Sequence, residues 1–113
     1  MAETVKNDEE KELQTTMGLI INAGNAKAYA VQAIDSAKKG DFDDAREKLK
    51  QAQKSLGEAH NSQTDMLTKE ARGEHAKVSL LMVHGQDHLM TAITFCDLAA
   101  DFVDLYETIS KKG

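Results

Sequence analysis

Three titratable residues, His84, Asp87 and His88, interrupt the most apolar run of the chain, Val78–Met90 (Val-Ser-Leu-Leu-Met-Val-His-Gly-Gln-Asp-His-Leu-Met). On a helix, residues three and four apart share a face, so Asp87 and His88 both lie on the side of His84. Such groups inside an apolar run cost free energy unless they have partners or work to do. His84 and His88 stand at i and i+4, as a helical metal-ligand pair would. Zinc takes three or four protein ligands, however, and within one chain this constellation makes only a thin site. Hydrolysis by an activated Ser or Cys is excluded, because no such nucleophile accompanies the histidines. Two readings remain: a nucleophilic histidine and a buried polar network. On periodicity alone the network is the plainer of the two.

The elements that must position these residues are helical throughout. The chain has 113 residues, no Pro and no Trp, and is 41% hydrophobic but only 4% aromatic. That length suits a single domain spanning residues 1–113. Ala, Leu, Lys, Glu and Gln favour long helices. Residues 1–8 read as a disordered tail. From about Asp8 or Glu9, Leu13, Met17, Ile20, Ile21, Gly24, Ala28, Val31 and Ile34 recur at helical spacing. Gly18 and Gly24 lie on or beside this stripe and point to close approach of a neighbouring helix or to a local bend. Lys38-Lys39-Gly40 ends the helix, since cations suit its C-terminal dipole and Gly the left-handed cap. Asp41 then offers an N-cap.

The second helix has the most regular stripe: Phe42, Ala45, Leu49, Ala52, Leu56, Ala59, Gln63 and Met66 step by three and four. This is the seam of a left-handed bundle. Arg46, Glu47, Lys48, Lys50, Gln53 and Lys54 fall on its solvated side. Ala71-Arg72-Gly73-Glu74 is a second turn signal, and a third helix is expected from about Glu74 to Ser110. One stripe of it carries Val78, Leu81, Gly85, His88, Ala92, Phe95, Ala99, Phe102, Tyr106 and Ile109. A second face carries Leu80, Val83, Asp87, Met90, Thr94, Leu98 and Leu105, and a third flank Met82, Leu89, Ile93, Cys96 and Val103. Only a narrow strip with Ser79, Gln86, Asp97, Asp101 and Asp104 is plainly polar. A helix apolar over more than half its circumference needs a second buried contact, and oligomerisation supplies one. The fold class is therefore all-α, an antiparallel three-helix bundle that associates with copies of itself.

Charge and composition exclude several functions. The net charge is -5 and no basic cluster is interleaved with aromatics, so nucleic acid is not an expected partner. The N-terminus is acidic, unlike a signal peptide, and the apolar run is too short to insert into a membrane. A soluble, cytoplasmic protein is expected. Cys96 is alone and reads as a small buried hydrophobe. His60 lies beside the bundle seam in a packing or polar-contact role, and His75 lies exposed near a helix start. Tyr29 and Tyr106 read as core or interface aromatics.

Beyond periodicity, the order of residues carries a resemblance. Val83-His84-Gly85-Gln86-Asp87-His88-Leu89-Met90-Thr91 resembles the signature of the lactose/cellobiose-type enzyme IIA of the phosphoenolpyruvate-dependent sugar phosphotransferase system. Met17-Gly18-Leu19-Ile20-Ile21-Asn22-Ala23-Gly24-Asn25-Ala26-Lys27 is similar to that family's first helix, and Glu58-Ala59-His60-Asn61-Ser62-Gln63-Thr64 to its second. The resemblance covers about Glu12 to Lys111. Ala28 stands where Ser is expected and Gly85 where Ala is common, and neither removes a reactive group.

The resemblance implies a homotrimer of three-helix protomers, a nine-helix assembly. It implies a phosphotransferase component that receives a phosphoryl group on His84 from phospho-HPr and passes it to a cysteine of enzyme IIB. It implies that Asp87 of each chain meets at the trimer axis and shares a divalent cation, Mg2+ being expected. The sugar, a β-linked disaccharide of the lactose, cellobiose or chitobiose type, would be bound by the membrane component and not by this chain. His88 is the expected orienting or donor group for the transfer, with Gln86 secondary because it faces the polar strip. A competing reading is a non-catalytic adaptor whose apolar third helix binds partner helices.

Overall fold

The computed structural model describes residues 2–112. Three helices follow in order: α1 (Ala2–Lys38), α2 (Phe42–Ala71) and α3 (Leu80–Lys112). α1 is longer at its start than the periodicity implies. The expected tail at residues 1–8 is corrected for residues 2–8, which are helical, while Met1 lies outside the described residues. No Gly or Pro interrupts the chain before Gly18, so helix propagation meets no breaker there.

Both turns are closed by glycine in the left-handed region, Gly40 at φ 83° and Gly73 at φ 86°. The Gly40 N–H donates to the Ala37 carbonyl at 3.0 Å and the Asp41 N–H to that of Ser36 at 2.9 Å. Asp41 then caps α2, its carboxylate accepting from the Asp44 N–H at 3.1 Å. α3 begins later than expected. Residues 74–79 are irregular, and the helix starts where the Ser79 hydroxyl accepts from the Met82 N–H at 3.1 Å. The apolar pattern runs back to Val78, but Val78 is 74% exposed. Without burial nothing holds those residues helical, and the serine cap sets the boundary.

α1 and α3 run parallel, with α2 antiparallel to both. Gly85 meets Leu19, Ile20 and Thr16, and Cys96 meets Ala26, while Val103 packs with Ala33 and Ala37. The interior is built largely of alanine: Ala23, Ala26, Ala30, Ala33 and Ala37 from α1, Ala45, Ala52 and Ala59 from α2, and Ala92 and Ala99 from α3. Small side chains let helix axes approach closely. The larger buried groups, Leu19, Leu56, Leu89, Cys96 and Val103, fill the remaining volume.

The glycines divide differently from expectation. A Cβ on Gly18 or Gly24 would meet no heavy atom within 4 Å, so neither is a close approach inside the protomer. Gly85 is the close approach, with its notional Cβ 3.3 Å from Leu19 Cδ2. The α2 stripe buries as read, Ala45, Ala52, Leu56 and Ala59 fully and Phe42, Leu49, Gln63 and Met66 in part. On α3 the core side runs through Gly85, Leu89, Ala92, Cys96, Ala99 and Val103, between two of the stripes seen in the sequence. Phe102 and Ile109 are consequently exposed.

Candidate functional site

The site lies near the start of α3. Gly85 presses against α1 and fixes the rotation of the helix, so Gly85 and Leu89 point inward. His84 is carried to the outside and is exposed, and His88, one turn on, is half-buried. The two rings meet edge to face, with centroids 4.5 Å apart and planes at 90°. A buried polar network would need His84 enclosed with hydrogen-bonding partners. It is exposed, and among the described residues its ring has no hydrogen-bonded side-chain partner. The geometry leaves an accessible imidazole with a second ring edge-on to it.

His84 lies on the same helical line as Thr91 and Leu98, which with Lys27 of α1 line a groove between α1 and α3. It is therefore on the α1 side of the outer face. Gln86 is on the other side. Its placement toward the polar strip is corrected: Gln86 is half-buried against α2, where the Gln63 side-chain amide donates to its Oε1 at 2.8 Å. The Gln86 amide in turn lies 3.7 Å from Met66 Sδ. Gln63 and Met66 together engage the Gln86 amide across the seam, which holds Gln86 away from His84. Gln63 was visible in the sequence as the polar member of the α2 stripe, a position that calls for a polar partner.

Asp87 is exposed, between exposed Val83 and Met90. Its carbonyl accepts from the Thr91 hydroxyl at 2.9 Å, but among the described residues its carboxylate has no ion pair. The described residues gather no three His, Cys, Asp or Glu side chains able to hold a metal. His60 is exposed rather than packed at the seam, because the seam turns through Ala59. His75 is exposed as expected, and its Nδ1 contacts the Glu70 carboxylate. Cys96 is fully buried, and burial, followed by the nearby Asp97 charge, pushes its thiol pKa up. A buried, protonated thiol is a poor nucleophile.

The outer face of α3 holds large apolar groups without cover in the protomer. Leu80 is 86% exposed, and Val83, Met90, Leu98, Phe102 and Leu105 are exposed as well. No described helix is long and apolar enough to cross a membrane.

Comparison with known proteins places this arrangement. The sequence profile described as PTS system, Lactose/Cellobiose specific IIA subunit matches residues 14–107. A lichenan-specific phosphotransferase enzyme IIA component from Bacillus subtilis is 45% identical over 99 residues, covering 88% of this chain and 90% of that protein. The crystal structure of a cellobiose-specific enzyme IIA from Bacillus anthracis superposes with a TM-score of 0.86 at 45% identity, covering 88% of this chain and 92% of that one. The chitobiose IIA in solution structures of the IIA–HPr complex from Escherichia coli gives a TM-score of 0.75 at 39% identity, covering 86% and 94%. The matched residues include all of the histidine-bearing stretch. The chain belongs to the lactose/cellobiose-specific IIA subunit family of the phosphotransferase system.

Proposed function

We propose that this protein is a homotrimeric phosphocarrier. It accepts a phosphoryl group on His84 from the phosphohistidine of HPr and passes it to a cysteine of enzyme IIB during uptake of a β-linked disaccharide. The observation that carries the reading is the exposed His84 with His88 edge-on to it, 4.5 Å between ring centroids, in a chain of this family. A relative studied in complex with HPr supports the choice of donor.

The chemistry follows from the geometry. An unprotonated nitrogen of His84 attacks phosphorus as the N–P bond of the donor breaks, and the donor imidazole keeps that electron pair. The transition state is loose, with charge on the equatorial oxygens. A helical side chain leans toward the helix N-terminus, so a phosphoryl group on His84 would lie beside the first turn of α3. Ser79 caps that turn. The positive end of the helix dipole there favours the anion by about 0.3–1 kcal/mol. His88 is the nearest group able to hold the His84 ring or donate to a phosphoryl oxygen. In the second transfer a thiolate sulfur attacks, the His84 N–P bond breaks, and an S–P bond forms. Among the described residues nothing encloses His84, which is exposed, so both partners can reach it in turn.

Asp87 supports a separate, structural role. Its carboxylate is exposed, unpaired among the described residues, and set in an apolar face. Three such groups at a three-fold axis would repel, and carboxylate oxygens suit a hard divalent cation such as Mg2+. Asp87 of each chain would hold that cation, which would offset most of the repulsion at the axis and take no part in the transfer. The reading is tested by incubating the protein with phosphoenolpyruvate, enzyme I and HPr. One acid-labile phosphate per chain is expected by mass spectrometry, and an adaptor would gain none.

A further inference from the structure

A phosphoryl group on His84 brings close to two negative charges to the start of α3 at neutral pH. The helix itself offers that group no cation, since α3 carries no Lys or Arg between Leu80 and Ser110. Between Arg72 and Lys111 the sequence holds a single basic residue of this kind, Lys77, in the irregular stretch that leads into α3.

The structure sets Lys77 on the side of α3 where His84 lies. A cleft of about 240 Å³ at the start of the helix is lined by Lys77, Ser79 and Leu81 together with Glu9, Glu12 and Thr16 of α1. Thr16 also meets Gly85, its Cγ2 standing 3.4 Å from the notional Cβ there. Leu81 lies one turn before His84, and its direction falls between those of His84 and Gly85. The cleft thus runs along the α1 side of the first turn, and His84 projects beside it. A side chain at His84 leans back toward that same turn. Were the helix continued backward, two turns, about 11 Å, would separate the backbone at His84 from that at Lys77. A phosphorylated imidazole reaching back and an extended lysine reaching forward span that gap between them. Lys77 is outside the helix, so its side chain is free of the backward lean that helical residues share.

Lys77 is exposed and makes no ion pair among the described residues, although Glu9 and Glu12 share its cleft. A phosphoryl dianion attracts an ammonium more strongly than a single carboxylate does. We propose that Lys77 is a catalytic residue of the phosphoryl relay, its ammonium donating to an oxygen of the phosphoryl group at His84. The contact offsets charge on the equatorial oxygens during transfer and holds the group in the phosphorylated protein. Lys77 makes and breaks no covalent bond, and its proton stays on Nζ throughout. The compact, mobile ammonium suits a group that arrives from one partner and leaves with another. The inference rests on the phosphocarrier reading above.

The test uses the full chain with phospho-HPr as donor, and circular dichroism confirms helix content. Lys77→Ala should slow transfer to His84 by roughly 10–100-fold, less than loss of an enclosed donor because water and salt screen an open site. Lys77→Arg should restore most of the rate. A second readout separates this role from docking of the donor: phosphorus NMR titration of the phosphorylated chain after HPr is removed. A cation beside the phosphoryl group favours its dianion, so the group should titrate at lower pH in wild type than in Lys77→Ala. Glu9, Glu12, Asp87 and His88 face the same region and are common to both proteins, so the difference reports Lys77 alone. Slowed transfer with an unchanged titration assigns Lys77 to docking and overturns the proposal. Unchanged rate and titration overturn it as well, and leave His84 standing as the acceptor. A wild type that takes up no phosphate overturns the phosphocarrier reading and the proposal with it.

Discussion

The inner and outer faces of α3 differ in what their side chains serve. The inner face is small and closed: Gly85, Leu89, Ala92, Cys96, Ala99 and Val103 are buried against α1 and α2. Nothing reactive is available there, since even the Cys96 thiol is enclosed and held protonated. The outer face is large and open, with Leu80, Val83, Met90, Leu98 and Leu105 uncovered and Asp87 among them. His84 stands at its edge. The fold uses one face of the helix and leaves the other uncovered in the described protomer, so substitutions on the two should separate stability from activity.

The largest effect on stability is expected inside. Leu89→Ala removes a fully buried side chain from an alanine-rich seam that can collapse only in part. It should cost about 2–5 kcal/mol, read as a lowered midpoint in urea unfolding. Next comes the edge of the outer face. His88→Ala should slow phosphoryl transfer by roughly 10²–10³-fold if His88 donates to the transferring group, while leaving His84 able to accept. Stopped-flow measurement of transfer from phospho-HPr checks this, and an unchanged rate would make His88 a packing residue only.

A subtler separation concerns the proposed trimer axis. Asp87→Leu exchanges an exposed carboxylate for an apolar group of similar size, a change that is often neutral or stabilising in buried ionic clusters. The variant should remain trimeric, become insensitive to chelator and still accept phosphate on His84. Dissociation into monomers would make the Asp87 carboxylate essential to assembly, and loss of phosphorylation in an intact trimer would place Asp87 in the reacting centre. The smallest effect is at the start of α3. Ser79→Ala removes the hydroxyl that caps Met82 and should cost about 1 kcal/mol of stability in thermal unfolding. It should also loosen the first turn beside His84, so a modest slowing of transfer should accompany it.

Much of this was legible in the sequence, and the exceptions have physical causes. The second helix, its Asp41 cap and both glycine turns follow from spacing and local chemistry, which act within a few residues. The order of the faces on α3 was harder, because apolar residues cover most of its circumference and periodicity cannot say which part meets the core. Gly85 decided it by close approach to Leu19, a contact between distant parts of the chain. The start of α3 was read too early because Val78 continues the apolar pattern, yet no neighbour covers it. Gln86 was misplaced because its hydrogen bond is to Gln63 on another helix. The His84 and His88 pairing was visible as an i, i+4 spacing. That His84 is open to partners, instead of closed into a network, required the rotation of the helix.

The most direct test of the account is mass spectrometry of wild-type protein and His84→Gln after incubation with phosphoenolpyruvate, enzyme I and HPr. Wild type should gain one acid-labile phosphate per chain, while His84→Gln should gain none at unchanged helix content and assembly. Phosphorylation of the His84→Gln variant to the wild-type level would contradict the assignment.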